Sequence, residues 1–278
     1  MTMNNKIRED ISALLINDTA KAALFSMDRM LNSQSSAIRN STFVPLVIAG
    51  EGCGLTSFGR IFSEIINCSV YSVKAGNSNY LELVFPKDNE DDEKRFFSSP
   101  AKAASTVNRF YGSMIISLKE FEGNDLMKSG SFIKLMDFCK ENKENIHFVF
   151  HITPEFEERN RLVSELQTLF PIMEITLDKP DVEKSYEYLI SEIMKNKMTI
   201  DDDAMEFLRE RVIPVYVSQN DFSGFNSLNN LLSRLTYETF MTVGSEDYLI
   251  SRTVLETLMV KVQTGFDVCD TQKIGFRM

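Results

Sequence analysis

Hydrophobic residues along this chain occur in two patterns, as short continuous runs and as runs that repeat every three to four residues. The continuous runs predict buried strands, which we place at Phe43–Ala49, Ser69–Lys74, Ser113–Leu118, Ile146–Ile152 and Ile172–Leu177. The periodic runs predict helices between them, at Thr56–Ile66, Pro100–Phe110, Gly130–Glu141 and Glu155–Phe170. Strands without polar alternation, separated by helices, indicate a parallel sheet covered on both faces. The pattern therefore predicts a three-layer α/β fold.

Both flanks of this α/β region show helical periodicity alone. Apolar stripes run through Asn5–Asn32, before the first strand. After Pro180 we predict only helices, at Asp181–Lys195, Asp201–Arg211, Phe222–Thr242 and Ser251–Gln263. We therefore predict four parts of the chain: an N-terminal helical segment (1–42), the α/β domain (43–179), a small all-helical domain (180–263) and a tail (264–278).

An insertion at residues 80–97 interrupts the regular alternation of strands and helices. Within it, Tyr80–Phe85 has the composition of an extra strand, and the acidic run Asp88–Glu93 predicts a solvated loop. Phe96 and Phe97 follow the acidic run. Because large aromatic side chains are usually buried, we expect these two to pack against the sheet.

The charge balance narrows the classes of partner. The formal net charge is −10, whereas nucleic-acid binding needs a surface rich in lysine and arginine. We therefore expect no nucleic-acid partner. Hydrophobic runs stay well short of the ~20 residues that a membrane helix needs, and the polar segment 1–10 does not resemble a secretory signal. These features predict a cytoplasmic protein without a membrane partner.

A glycine-rich segment follows the first predicted strand and leads directly into a helix. Its sequence is Gly50-Glu51-Gly52-Cys53-Gly54-Leu55-Thr56-Ser57. Strand, glycine-rich turn, hydroxyl pair and helix make the layout of a phosphate-binding loop (P-loop). Gly52 and Gly54 let backbone N–H groups cradle a phosphate, and Thr56 offers a hydroxyl to Mg²⁺. However, Leu55 stands where a P-loop has lysine, and Glu51 adds a negative charge.

The cysteines and histidines predict no metal centre. Four cysteines are spread along the chain without a paired spacing, and the only two histidines lie far from them in sequence. Cys53 lies in a glycine-rich turn near a helix N-terminus, where the pKa of a thiol can fall. As no histidine–aspartate constellation is readable around it, we favour an ordinary thiol over a catalytic nucleophile.

The order of elements resembles the AAA+ ATPase module, a P-loop α/β domain followed by a helical lid, from about Leu15 to Gln263. Within that family it looks most like the group of the sporulation stage V proteins and the red-type Rubisco activases. Thr199–Leu208 and Ile250–Leu255 are similar to helix starts of that lid. The resemblance implies the strand order 5-1-4-3-2, ATP or ADP with Mg²⁺ as possible ligands, and a pore-facing alternative for Phe96 and Phe97.

The chain departs from the family's charged motifs. Under the resemblance, the acidic pair, the arginine finger and the lid arginine fall on uncharged residues, namely Ser117 and Leu118, Leu169, and Ser227. Glu120 comes two residues too late to serve as the acid. Thr153, after the fourth strand, matches the polar sensor in position and chemistry.

These departures favour a binding protein over an enzyme, because charge stabilisation is nearly the whole of phosphoryl-transfer catalysis. We predict a catalytically inactive AAA+-like subunit (a pseudo-ATPase) that acts with a protein partner, either an active AAA+ subunit or further copies of itself. The alternative is an ATP-binding ATPase with weak hydrolysis, since backbone amides and a helix dipole can hold phosphate. A replication-type loader subunit is disfavoured by the acidic charge. The candidate nucleotide contacts are Gly50, Gly52, Cys53, Gly54, Leu55, Thr56, Ser57 and Thr153.

Overall fold

The chain divides into two compact units, Met1–Asp178 and Lys179–Met278. The computed structural model describes residues 3–35, 37–38, 42–68, 79–87, 89–103, 112–121, 126, 129–243 and 248–263. Within these residues, no helix combines the length and apolar character that crossing a membrane requires.

The first unit is built on a parallel sheet of five strands. The strands are β1 (Val44–Ala49), β2 (Asn79–Val84), β3 (Gly112–Ser117), β4 (Ile146–Ile152) and β5 (Ile172–Leu177). Their order across the sheet is β2-β3-β4-β1-β5, which confirms the expected order 5-1-4-3-2. Because all strands run in the same direction, the carboxyl ends of β1, β3 and β4 lie side by side, next to the glycine-rich loop.

The edge strand β2 confirms the strand predicted at Tyr80–Phe85 to within one residue at each end and corrects its assignment to an insertion. This segment is an integral strand, paired with β3 from Asn79 opposite Gly112 to Val84 opposite Ser117. An edge strand tolerates polar and exposed positions, and Glu82 and Val84 are exposed. The strand predicted at Ser69–Lys74 lies outside the described residues.

Six helices of the first unit are described: α1 (Met3–Ala13), α2 (Asp18–Leu31), α3 (Leu55–Cys68), α4 (Glu90–Ala103), α5 (Gly130–Asn142) and α6 (Arg159–Leu166). The helical periodicity of Asn5–Asn32 belongs to two helices rather than one. Asn17 caps the second, because its Oδ1 accepts from the N–H of Ala20 at 3.1 Å. The helix predicted at Glu155–Phe170 is shorter than expected and covers only α6.

The acidic run was wrongly predicted to be a solvated loop. Its last four residues, Glu90 to Glu93, form the first turn of α4, where the helix dipole favours negative charge. Glu93 is buried and accepts hydrogen bonds from Ser131 Oγ and, at 2.7 Å, from Lys134 Nζ. The bond from Lys134 lowers the pKa of the Glu93 carboxyl. The helix predicted at Pro100–Phe110 overlaps the end of α4, and residues 104–110 lie outside the described part.

Two apolar clusters cover the two faces of the sheet. One packs α1, α2 and α3 against the sheet, and the other, rich in phenylalanine, packs α4, α5 and α6 against it. Phe96 is buried in the second cluster and Phe97 is partly buried against it. Burial against the sheet, the expectation favoured over a pore-facing position, is therefore what the first unit shows.

The second unit is mainly helical. Its elements are α7 (Val182–Lys195), β6 (Thr199–Ile200), α8 (Asp202–Phe207), a π-helix (Leu208–Val212), α9 (Ile213–Val217), α10 (Phe225–Val243), β7 (Leu249–Ile250) and α11 (Arg252–Gln263). Asp181 and Asp201 cap α7 and α8 by accepting from N–H groups three residues on. The helix predicted at Asp201–Arg211 continues through the π-helix into α9.

Candidate functional site

The glycine-rich loop spans the five residues between the end of β1 and the start of α3. Gly52 has φ 72° and Gly54 has φ 89°, in the left-handed region that glycine adopts without steric cost. The carbonyl of Gly54 accepts from the N–H of Phe58 at 2.9 Å and so starts the helix. The first N–H groups of a helix have no intrahelical acceptor. The loop therefore has the backbone form that a phosphate site requires.

The side chains of the loop do not supply the charge that such a site normally has. Leu55 is half-buried and packs against the apolar cluster formed with α1, α2 and α3. Cys53 is 3% exposed and belongs to the same cluster, which argues against an accessible catalytic thiol. Glu51 is exposed and is the single charged residue of segment 50–57. The loop thus carries a net negative charge.

A carboxylate from β2 reaches the first turn of α3. Glu82 Oε1 accepts from Thr56 Oγ1 at 3.2 Å, and Glu82 Oε2 accepts from the Tyr80 hydroxyl at 2.9 Å. Burial, together with the neighbouring Glu82 carboxylate, raises the pKa of the Tyr80 hydroxyl. Tyr80 is therefore a permanent donor at neutral pH, and both oxygens of the carboxylate are held.

A buried histidine links the ends of three strands beneath the loop. His151 Nε2 lies 3.0 Å from the carbonyl of Ala49, and its Nδ1 lies 2.8 Å from Ser117 Oγ. A carbonyl oxygen only accepts, so Nε2 carries the proton. In the neutral ring Nδ1 must then accept from the Ser117 hydroxyl. The hydrogen bonds tie the end of β1 to the ends of β4 and β3.

The structure gathers the predicted loop and Thr153 at one edge of the sheet. Thr153 directly follows β4, whose Ile152 pairs with Ile48 of β1. The two residues aligned with the acidic pair, Ser117 and Leu118, are buried. Glu120 is exposed, as expected for a loop carboxylate. No acidic side chain therefore occupies the aligned positions at the end of β3.

Sequence reasoning missed Tyr80, Glu82, Ser117 as a hydrogen-bonding residue, and His151. Two of them carried a signal, because Glu82 interrupts an otherwise apolar strand and His151 stands inside a continuous apolar run. A polar residue in such a place is buried with a partner or serves a site.

The fold implies that this loop binds a nucleotide together with Mg²⁺, and only some of its side chains suit that ligand. The hydroxyl of Thr56 and the carboxylate of Glu82 are oxygen ligands of the kind Mg²⁺ takes. Leu55 offers no cation to phosphate oxygens. No group of three or more histidine, cysteine, aspartate or glutamate side chains suited to a metal occurs among the residues that the structure describes. The residues fit a cation carried by phosphates and lack the lysine of a hydrolytic site.

Lowering the pH from 7 to 5 is expected to destabilise the first unit. Burial lowers the pKa of His151, and it lowers that of His147 from 6.5 to about 4. Below pH 6.5 the unfolded chain then binds more protons than the folded chain. The free energy of unfolding therefore decreases as the pH is lowered. His147 alone accounts for about 1–2 kcal/mol of this loss.

Urea unfolding at pH 7, 6 and 5 measures the effect. A variant with both His147→Gln and His151→Gln serves as the control and is expected to lose most of the pH dependence in this range. An equal slope in the wild-type protein and the double variant would show that other groups titrate instead.

Comparison with solved structures finds this fold in AAA+ ATPases. The RuvB Holliday junction branch migration motor of Thermotoga maritima matches at 16% identity and TM-score 0.54, over 88% of this chain and 69% of its own. Domain III of the T. maritima replication initiation protein DnaA matches at 14% and 0.51, over 91% and 95%. PCH-2 of C. elegans matches at 13% and 0.56, over 94% and 71%. No protein-family profile and no curated protein matches the chain.

At these identities the likeness concerns the fold. The chain has the P-loop fold of the AAA+ ATPases, with the same five-stranded parallel sheet.

Proposed function

We propose that this protein is an AAA+-like subunit that does not hydrolyse ATP and acts by binding a protein partner in the cytoplasm. The loop residues Gly50–Ser57, together with Thr153, are its proposed nucleotide contacts. The proposal keeps the helical second unit as a lid. It also retains the predicted resemblance to the group of the sporulation stage V proteins and the Rubisco activases, which the two helices before β1 support.

The observation that carries this proposal is the chemistry at position 55. Leu55 sits where a P-loop presents lysine, and its side chain packs against the apolar cluster of α1, α2 and α3. Phosphoryl transfer depends on cations that neutralise charge in the transition state. A leucine there, beside Glu51 and Glu82, leaves the loop with the opposite charge. The loop persists as the connection between β1 and α3.

Two of the other aligned positions, Ser117 and Ser227, support the same conclusion. Ser117 donates to His151, so its hydroxyl is already engaged within the sheet. Ser227, in the second unit, is buried and its hydroxyl accepts from the N–H of Ser223 at 2.8 Å. Each position thus has a structural role that needs no charge, which is expected where hydrolysis is no longer selected.

An exposed apolar stripe on α10 supports a protein partner. Tyr237, Phe240 and Met241 are 59%, 55% and 62% exposed and share one face of the helix, since they are spaced three and four residues apart. Contiguous apolar patches of this kind mark protein interaction sites. The net charge of −10 agrees with a protein partner rather than a nucleic acid.

The proposal predicts no ATP turnover above the protein-free background, in the wild-type protein and in Leu55→Lys. Restoring the lysine alone leaves the acid at the end of β3 missing, so phosphoryl transfer still lacks a charge it needs. Steady-state phosphate release at saturating ATP and Mg²⁺ measures this. Turnover by the wild-type protein that scales with its concentration would contradict the proposal.

The second candidate is a nucleotide-binding ATPase of low activity that uses non-standard residues. The contact between Thr56 and Glu82 favours it, because a hydroxyl and a carboxylate in contact at a helix N-terminus suit Mg²⁺. An inactive subunit can also bind a nucleotide, so nucleotide binding is common to both candidates. Turnover is the property that separates them.

A further inference from the structure

Two side chains, Thr56 of α3 and Tyr80 of β2, hold one carboxylate against the first turn of α3. Glu82 lies in the middle of β2, with Thr56 on one of its oxygens and Tyr80 on the other. Tyr80 is two residues from Glu82 on the same strand, so both side chains emerge on one face of the sheet. The carboxylate is therefore fixed at the first turn of α3.

Gly59 provides the space for this arrangement. A Cβ atom built at Gly59 would lie 2.7 Å from the Tyr80 hydroxyl oxygen and 2.2 Å from Ile115 Cδ1. The absence of a side chain at this position of α3 lets the tyrosine approach the helix backbone. The hydroxyl then sits where it can donate to Glu82. The contacts form a series from Gly59 through Tyr80 and Glu82 to Thr56.

Two departures from the family's charged motifs bear on the role of this carboxylate. The end of β3 offers the buried and uncharged Ser117 and Leu118, so the acid that reaches Thr56 comes from β2 instead. With leucine at position 55, segment 50–57 has no cation of its own. Phosphate groups brought to this loop would meet Glu51 and Glu82, and a divalent cation is what can neutralise that repulsion.

We propose that Glu82 is the carboxylate that holds a divalent cation beside Thr56, and that the loop binds nucleoside polyphosphates only as their divalent-cation complexes. This inference rests on the proposed function, in which the subunit is loaded and does not turn over. Mg²⁺ is commonly bound by one or two carboxylates together with phosphate oxygens, rather than by a cage made wholly of protein. Two protein ligands, Thr56 and Glu82, are enough for such a site.

Titration of the 278-residue chain with a fluorescent ADP analogue tests the inference. Binding is expected with millimolar Mg²⁺ and is expected to weaken by about tenfold or more when EDTA replaces the metal. Glu82→Gln removes the charge, keeps the shape, and is expected to weaken binding in Mg²⁺ to the level seen in EDTA. Tyr80→Phe is expected to give an intermediate loss, because Glu82 keeps its charge and loses one of its two hydrogen bonds.

A matched control and a second readout complete the design. Glu64→Gln, on an exposed position of α3, changes net charge equally and is expected to leave binding unchanged. Electron paramagnetic resonance of Mn²⁺ reports the metal itself. Mn²⁺ is expected to be immobilised by the wild-type protein with ADP, and to remain in solution without ADP or with Glu82→Gln.

Three results would overturn the inference: no binding of the Mg²⁺ complex by the wild-type protein, equal binding in EDTA, or equal or tighter binding by Glu82→Gln. The last would mean that Glu82 excludes phosphate instead of holding a cation. None of these results involves hydrolysis. Failure here therefore leaves the proposed absence of turnover standing, and turnover would contradict the proposed function without touching the role of Glu82.

Discussion

Replacing Phe85 by alanine is expected to lower the free energy of unfolding of the first unit by about 3–5 kcal/mol, the range for deleting a buried phenylalanine. Phe85 directly follows β2 and is fully buried. Its ring lies 5.0 Å from that of Phe96 and 5.7 Å from that of Phe121, measured between centroids. The substitution therefore removes contacts that join β2, α4 and the segment after β3.

Urea unfolding measures the change, with Val84→Ala as the control. Val84 is the neighbouring residue and is 39% exposed, so its truncation is expected to cost no more than about 0.5 kcal/mol. If Phe85→Ala cost as little as Val84→Ala, segment 79–97 would not be part of the core. The assignment of this segment to an edge strand and its helix, rather than to an insertion, would then be wrong.

Replacing Gly59 by alanine is expected to destabilise the first unit by about 1–3 kcal/mol, in spite of the higher helix propensity of alanine. The new methyl group would lie 2.2 Å from Ile115 Cδ1, and Ile115 is fully buried in β3. Either the helix or the isoleucine has to move. The displacement of Tyr80 is also expected to weaken binding of a Mg²⁺–nucleotide complex.

A double-mutant cycle with Ile115→Val isolates the clash. Valine lacks the Cδ1 atom, so the double variant is expected to be more stable than the sum of the two single changes implies. Gly130→Ala is the matched control, because no atom lies within 4 Å of the Cβ built there. Equal stability of Gly59→Ala and Gly130→Ala would show that α3 and β3 are not in close contact at this point.

The parts of the fold that the sequence predicted well are those whose signal is local. Four strands of the sheet are predicted to within one residue at each end, because a strand buried on both faces is a continuous apolar run. The edge strand β2 was misjudged because Glu82 interrupts its apolar run, and because an edge strand keeps exposed positions such as Glu82 and Val84. Helix α4 was missed because acidic residues in a first turn look like a charged loop until their helix is known.

The difference between local and long-range signals also explains which residues of the candidate site could be predicted. The loop from Gly50 to Ser57 is contiguous, so its glycines and hydroxyls could be recognised in the sequence. The contact between Thr56 and Glu82 joins residues 26 apart, and the contact between Ala49 and His151 joins residues 102 apart. Such pairings depend on strand order and register. A sequence pattern shows the unusual residue in each strand, and the folded sheet shows its partner.

The central claim, that this AAA+-like subunit does not hydrolyse ATP, is tested most directly by a single-turnover measurement. Purified protein in excess over γ-labelled ATP, with Mg²⁺, would be followed for many hours. This design detects even one slow event per site. The account predicts release of labelled phosphate at the rate of the protein-free control, with ATP recovered intact. Release that follows the protein concentration and disappears with Thr56→Ala would contradict it.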